Sequence, residues 1–187
     1  STTPPVRAPR GRERVAWLTG VTGGNAAGHA CTPTTGGRMA RYVTTQPTEW
    51  DPDTAYAWMA DLRNLAEWDP SIVSSEQVSG VEPGVGAEYL VQLKAVGSVR
   101  AMHYRIEEMD AEARTLLARS ETPVLTSYDR ISVETQPAGG SAVTYDADLV
   151  LKGPLKLGDP LLSVAFGRVG DRAAAGLGAT LSEPAPR

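Results

Sequence analysis

The sequence predicts an α+β fold, in which a curved antiparallel sheet of about seven strands wraps around a long C-terminal helix, with two short helices after the first strand. Two observations carry this prediction. Segments of alternating apolar and polar residues follow one another with only short turns between them, which is typical of an antiparallel meander rather than a parallel sheet. The C-terminal part has one apolar stripe at helical spacing, which indicates a helix of about 22 residues.

Local signals place the first elements. A first strand is predicted at residues 41–45. Asp51 or Asp53 can cap a helix in which Pro52 suits the first turn, and this helix should extend to about residue 61. A second short helix is predicted at 64–68. The remaining strands are predicted at 72–78, 88–96, 99–108, 115–120, 124–135 and 142–151.

The final helix has the clearest periodicity. Asp159 can cap its N-terminus, and Pro160 suits its first turn. Glycines at positions 167, 170, 176 and 178 interrupt it. Either they are tolerated at a cost of about 1 kcal/mol each, or they let the helix approach the sheet or bend over a cavity. The apolar stripe, with spacings of three and four residues, comprises Leu162, Phe166, Val169, Ala173, Leu177 and Leu181.

Several short motifs accompany these elements: WMADLRNLAEWDP at 58–70, PGVG at 83–86, Asp129 in the sixth strand, LKGPL at 151–155 and GRVGDRAAAGL at 167–177. Together with the order of elements, they make residues 40–181 resemble the START-like, helix-grip superfamily, in the polyketide cyclase/dehydrase and lipid transport group (SRPBCC). The resemblance implies a cavity between the sheet and the long helix. It does not choose a reaction, because the superfamily includes cyclases, dehydratases, lipid carriers and hormone-binding modules.

The composition divides the chain into three parts. Residues 1–38 are rich in Gly, Pro and Thr without a helix or strand period, which predicts a disordered N-terminal extension. Residues 39–181 form the predicted START-like ligand-binding domain, and 182–187 a flexible tail. The extension has five arginines and one glutamate, so the chain's formal charge of −4 leaves −8 for residues 39–187. A single cysteine, Cys31, cannot form an intrachain disulfide, and a cytoplasmic protein is expected.

These features disfavour several classes of function. An acidic folded region argues against a nucleic-acid partner, because phosphate contacts need Lys and Arg. No run approaches about 18 apolar residues, so no transmembrane segment is expected. With two histidines and one cysteine, none near a carboxylate cluster, neither a metal nor another cofactor is expected. The sequence lacks a Gly-x-Ser-x-Gly nucleophile elbow, which disfavours covalent catalysis. Monomer and homodimer both stay open.

Strand alternation predicts which side chains face the cavity, because one face of a strand repeats every second residue. The tyrosines of this face would place hydroxyls where they can orient a carbonyl or phenol ligand, or else be core aromatics with a polar tip. The outward set is Gln92, Lys94, His103, Arg105, Asp146 and Asp148. The candidate ligand-binding residues are Trp68, Tyr89, Val91, Leu93, Met102, Tyr104, Ile106, Ile131, Tyr145, Ala147 and Phe166.

Asp129 is the candidate catalytic residue. It shares a strand face with Ile131 and Val133, and the apolar residues of that face favour an inward orientation. A carboxyl group in an apolar cavity needs a partner or acquires a raised pKa, as a general acid or base does. The alternative is a structural aspartate near a strand end, paired with an arginine such as Arg63 or hydrogen-bonded to loop amides.

The sequence therefore predicts a protein that binds a hydrophobic or aromatic small molecule, lipid-like or polyketide-like, in an internal cavity. The resemblance raises polyketide cyclisation and dehydration as an activity, with Tyr and Asp side chains assisting enolisation. Two alternatives stay open. The protein can be a non-catalytic lipid or ligand carrier, or a stress-associated interaction module that uses its outer surface.

Overall fold

The computed structural model describes residues 40–80, 83–95, 98–153 and 160–186. The predicted disordered extension and Asp159, the predicted cap of the last helix, lie outside these residues. The elements are β1 (Ala40–Thr48), α1 (Pro52–Ala60), a 3₁₀ turn (Leu62–Asn64), α2 (Leu65–Trp68), β2 (Ile72–Ser79), β3 (Glu88–Ala95), β4 (Ser98–Asp110), β5 (Thr115–Glu121), β6 (Leu125–Thr135), β7 (Ser141–Leu151) and α3 (Pro160–Leu181).

The seven strands form one antiparallel sheet in the order β1-β7-β6-β5-β4-β3-β2. Strands β2 to β7 are sequential neighbours, whereas β1 pairs with β7, with Thr44 opposite Tyr145. This pairing places β1 and β2 at the two edges of the sheet. The helix α3 contacts both β1 and α2. The predicted fold class is therefore confirmed.

Two aspartates direct the chain before β2. The Asp51 carboxylate accepts hydrogen bonds from the backbone N–H groups of Asp53 and Thr54 at 3.0 and 3.3 Å, so it caps α1 as predicted. Asp69 follows the last residue of α2, and its carboxylate accepts the N–H of Ser71 at 2.8 Å. This local turn leads the chain from α2 into β2.

The inner face of the sheet forms the core together with α1, α2 and α3. On β3, Tyr89 and Val91 are fully buried, whereas Gln92 and Lys94 are exposed, so the predicted alternation is correct. On β6 the buried positions alternate as the apolar pattern indicated, and they include Ser127, Asp129, Ile131 and Val133.

Two glycines allow α3 to lie close to its neighbours. A Cβ atom at Gly176 would lie 1.9 Å from the carbonyl oxygen of Trp68, and one at Gly170 would lie 2.3 Å from the ring of Tyr42. Both distances are far shorter than van der Waals contact. The close-approach interpretation of the α3 glycines therefore holds at these two positions. Gly167 differs, because a Cβ atom added there would have no neighbour within 4 Å.

Candidate functional site

A pocket of about 100 Å³ lies between α3 and the inner face of β1 and β7. Small and apolar side chains of α3 form one wall, and residues of the two strands form the other together with Asp69, which follows α2. Aromatic rings and aliphatic groups make up most of its surface. The lining residues are Arg41, Tyr42, Asp69, Tyr145, Ala147, Leu149, Phe166, Gly167, Val169, Gly170 and Ala173.

Tyr145 connects the pocket to the interior of the domain. Its ring packs edge-to-face on Trp68, with centroids 5.2 Å apart and an interplanar angle of 72°. Trp68 is only 3% exposed and does not line the pocket, so it supports the Tyr145 ring from behind. The Tyr145 hydroxyl also lies close enough to the Asp129 carboxyl group for the two to interact, and each shifts the pKa of the other. One side chain thus joins the pocket wall to a buried acid.

Asp129 lies at the centre of a buried polar cluster. The hydroxyl of Ser127 donates to Asp129 Oδ1 at 2.7 Å, and the Tyr104 hydroxyl donates to Ser127 Oγ at 3.5 Å. The Tyr104 hydroxyl is also near enough to the Asp129 carboxyl group to influence its pKa. Asp129 is 6% exposed. One donated hydrogen bond from Ser127 and two nearby tyrosine hydroxyls therefore surround a carboxyl group that is almost completely removed from water.

Small neighbours leave room for these hydroxyls. Asp129 pairs with Ala118 on β5 and with Ala147 on β7, so alanines lie on both sides of it across the sheet. In the adjacent row, Ser120 lies between Tyr104 and Ser127. Because these side chains are short, tyrosine rings from other positions can extend over them toward the carboxyl group. The space that the tyrosine hydroxyls occupy beside Asp129 thus depends on alanine and serine at specific positions.

Burial determines the protonation chemistry of the cluster. It raises the pKa of Asp129 above its ordinary value, although the hydroxyls of Ser127, Tyr145 and Tyr104 act in the opposite direction. The same burial raises the pKa of the Tyr104 and Tyr145 hydroxyls well above the ordinary value. Both tyrosines therefore stay protonated and act as donors. A carboxyl group with a raised pKa can exchange a proton nearer neutral pH than an exposed one.

A second carboxyl group belongs to the pocket itself. Asp69 is half-buried and lines the pocket beside Tyr145. Burial raises its pKa, and the hydrogen bonds from Ser71 lower it in part. Its charge in turn raises the pKa of Asp129. The pocket therefore has an acidic end, with one carboxyl group on its wall and another behind Tyr145.

Two more buried hydroxyls face the interior. The side-chain oxygens of Tyr89 and Ser120 form no hydrogen bond with other described protein groups, and these residues are 0% and 1% exposed. Tyr89 pairs with Tyr104, which pairs with Ser120, so the hydroxyl-bearing side chains form one row across the sheet. Neither residue lines the pocket, so these two hydroxyls belong to the interior behind it.

The structure divides the sequence-predicted site residues into two groups. Tyr145, Ala147 and Phe166 line the pocket. The catalytic candidate Asp129 lies behind them. Arg63, suggested as its alternative partner, instead forms an ion pair with Asp61. The other candidates pack in or against the hydrophobic core without lining the pocket, and these are Trp68, Tyr89, Val91, Leu93, Met102, Tyr104, Ile106 and Ile131.

Sequence reasoning did not single out Tyr42 or Asp69 as pocket residues. Tyr42 enters the pocket because β1 pairs with β7, which places it opposite Ala147. Its hydroxyl donates to Asp171 at 3.5 Å, and burial raises its pKa to about 12. Asp69 stands out in the sequence only as part of a helix-ending turn. One sequence signal was available for Tyr42. Tyr42 and Thr44 are two residues apart and so share one face of β1, and the pairing of β1 with β7 makes this the inner face.

The described residues provide neither a metal-binding cluster nor a membrane-spanning helix. Among residues 40–80, 83–95, 98–153 and 160–186, no three His, Cys, Asp or Glu side chains are arranged to hold a metal ion. Within the same residues, no helix has the length and apolar character needed to cross a membrane. The cytoplasmic location, the absence of a nucleic-acid partner and the monomer or homodimer alternatives stay predictions.

The element order and the sheet topology define a START-like, helix-grip protein. Residues 39–182 match the family model described as polyketide cyclase/dehydrase and lipid transport, and the chain belongs to this family. A search of curated protein sequences finds no match.

Three solved structures illustrate the shared fold. A START superfamily protein of Mycobacterium smegmatis is 13% identical, with a TM-score of 0.62 over 78% of this chain and 97% of that one. The Zhui aromatase/cyclase of a Streptomyces species is 17% identical, with a TM-score of 0.57 over 75% and 93%. A major latex-like protein of Panax ginseng is 13% identical, with a TM-score of 0.58 over 76% and 97%. At these identities the similarity establishes the fold alone.

Proposed function

We propose that this protein binds a hydrophobic or aromatic small molecule in the pocket between α3 and the β1–β7 edge of the sheet. One observation carries the proposal: a largely apolar, aromatic-lined pocket ends at two polar groups, Asp69 and Tyr145. Apolar walls supply affinity by removing ligand surface from water, and a few convergent polar groups fix its orientation. Membership of a family described by cyclisation and lipid transport supports the same class of ligand.

Blocking the pocket tests this proposal. Ala147 is half-buried on the pocket wall, so Ala147→Phe places a ring in the ligand space. We expect this variant to weaken binding of aromatic polyketides by about tenfold or more, as measured by isothermal titration calorimetry. Ala101→Phe, the same change at an exposed position of β4, is the matched control and should leave affinity unchanged.

Native mass spectrometry of the full chain purified from its own host provides the independent readout. A bound aromatic or acyl species that is lost in Ala147→Phe and retained in Ala101→Phe would support the pocket as its site. A protein that co-purifies empty, and that binds neither fatty acids nor aromatic polyketides, would contradict the proposal.

Catalysis of cyclisation or dehydration is the second candidate, favoured by the proximity of the pocket residue Tyr145 to the buried Asp129, which carries a raised pKa. In such a reaction a base removes a proton from carbon beside a carbonyl group, and an acid donates one to the oxygen that gains electrons. Asp129 with its raised pKa fits this exchange, with Tyr145 as the group that contacts the ligand.

Asp129→Asn separates catalysis from simple carriage. If the protein is a cyclase, this variant should lose product formation from a poly-β-ketone substrate while its dissociation constant for that substrate stays within about threefold. A carrier should show no product formation in the wild type, keep its ligand affinity in Asp129→Asn and lose it in Ala147→Phe, which fills the pocket. Product formation at an unchanged rate would remove Asp129 from any catalytic role.

A further inference from the structure

The carboxylate of Asp69, at the acidic end of the pocket, forms no ion pair with an Arg or Lys side chain of the described residues. Asp69 lies on the wall, and Asp129 lies behind Tyr145. Burial is the main cause of the raised pKa of Asp129, Tyr104 and Tyr145, and the charge of nearby Asp69 adds to it in the same direction. A ligand group that reaches this end therefore enters a region of negative potential.

The positive side chains lie elsewhere. Among the residues that the structure describes, no Arg or Lys side chain is buried. The half-buried ones form ion pairs with carboxylates: Arg114 with Asp53, Arg119 with Glu107 and Glu121, and Lys152 with Glu121. The others, together with His103, are exposed.

Arg41 is the one described cation among the pocket-lining residues, and its guanidinium is already engaged. Its Nε and one terminal nitrogen donate to the two carboxylate oxygens of Asp146 at 2.8 and 2.7 Å, a bidentate pair. Asp148 adds a further favourable interaction with Arg41. The guanidinium would have to leave two carboxylates to neutralise an anion in the pocket.

Ligand charge then decides which molecules can bind. A carboxylate loses its hydration on entry and gains no free cation of the described wall in exchange, while it is repelled by Asp69. A neutral hydroxyl loses much less on leaving water, and it can donate to the Asp69 carboxylate or accept from a tyrosine hydroxyl. We propose that the pocket takes uncharged, hydroxyl-bearing aromatic ligands and rejects carboxylates of the same size. This inference rests on the proposed function and adds the charge class of its ligand.

Two compounds with the same ring system test the inference. At pH 7, 2-naphthol is neutral and 2-naphthoate is an anion, and both expose the same bicyclic apolar surface. We expect calorimetry with the full chain to give a dissociation constant at least about tenfold lower for 2-naphthol. Equal affinities, or tighter binding of 2-naphthoate, would overturn the inference.

The variant Asp69→Asn tests whether the charge of Asp69 causes the preference for 2-naphthol over 2-naphthoate. Asparagine keeps a side-chain oxygen that accepts the Ser71 N–H, so the turn is retained while the charge is lost. The variant should strengthen 2-naphthoate binding by about tenfold and change 2-naphthol binding less. Glu67→Gln removes an exposed carboxylate two residues away. It should keep the wild-type ratio of the dissociation constants for 2-naphthoate and 2-naphthol. An unchanged ratio in Asp69→Asn, or an equal change in Glu67→Gln, would contradict the assignment.

The failure of this inference can be told apart from failure of the proposed function. Binding of decanoate or 2-naphthoate as tight as that of 2-naphthol, lost in Ala147→Phe, would reject the charge selection and leave the binding function standing. If none of the three compounds binds and no ligand co-purifies, both proposals fall.

Discussion

Gly176→Ala is expected to destabilise the protein by about 2–3 kcal/mol and to lower Tm by about 5–10 °C. The added Cβ would lie 1.9 Å from the carbonyl oxygen of Trp68. This oxygen belongs to the backbone, so no rotation of a side chain can relieve the contact, and α3 must move away from α2. Such a shift would loosen the packing of Leu177, which is fully buried one residue further along α3.

Gly167→Ala is the matched control, because it makes the same chemical change in the same helix. No atom lies within 4 Å of the Cβ position at Gly167, so alanine adds helix propensity without a contact and should stabilise by about 0.5–1 kcal/mol. Thermal and urea denaturation of both variants measure the two effects. A Gly176→Ala variant as stable as the wild type would show that α3 is not held closely against Trp68.

The arrangement of elements was predictable because local signals and packing requirements agree. The Asp51 cap, the alternation in β3 and the apolar stripe of α3 each depend on a few adjacent residues. The inward orientation of Asp129 followed from the apolar residues that share its face. These features can be read from sequence because a period of 2 or 3.6 fixes which side chains share a surface.

Other features depend on partners distant in sequence. The first strand was predicted to end at residue 45, yet β1 continues through Pro47 to Thr48. A proline fits there because β1 lies at the edge of the sheet, where one side of the strand needs no ladder hydrogen bonds. Asp148 was predicted to face outward, but it is only 3% exposed, flanked in register by Arg41 and Tyr128. Sequence alternation assigns a face and does not report what covers it.

The composition of the pocket was the least predictable part. Tyr42 and Asp69 come from segments more than twenty residues apart, and only the β1–β7 pairing and the position of α3 bring them to one wall. Likewise, the sequence could not say which glycine of α3 meets a neighbour. The two close contacts involve Tyr42 and the Trp68 carbonyl oxygen, and both are tertiary.

Asp129→Asn is expected to gain stability relative to the wild type as the pH rises. The pKa of Asp129 is raised in the folded protein, chiefly by burial. Below the unfolded-state pKa, near 3.8, the carboxyl group is protonated in both states and no ionisation cost exists. Between the unfolded-state pKa and the higher folded-state pKa, the Asp129 carboxyl group ionises in the unfolded chain but not in the folded protein. The free energy of unfolding of the wild type therefore falls as the pH rises up to the folded-state pKa. Asparagine does not titrate and is free of this loss.

The size of the effect follows from the linkage. At a pH above the folded-state pKa, the wild type has lost about 1.4 kcal/mol of unfolding free energy for each unit by which the folded-state pKa of Asp129 exceeds the unfolded-state pKa. Urea denaturation of both proteins between about pH 4 and pH 8 should therefore show the wild-type advantage shrinking as the pH increases. Glu134→Gln, which removes an exposed carboxylate from the same strand, corrects for the altered surface charge. If the wild-type advantage instead grew with pH, the hydroxyls of Ser127, Tyr104 and Tyr145 would outweigh burial, and Asp129 would be a structural carboxylate that stays ionised rather than a proton-exchanging group.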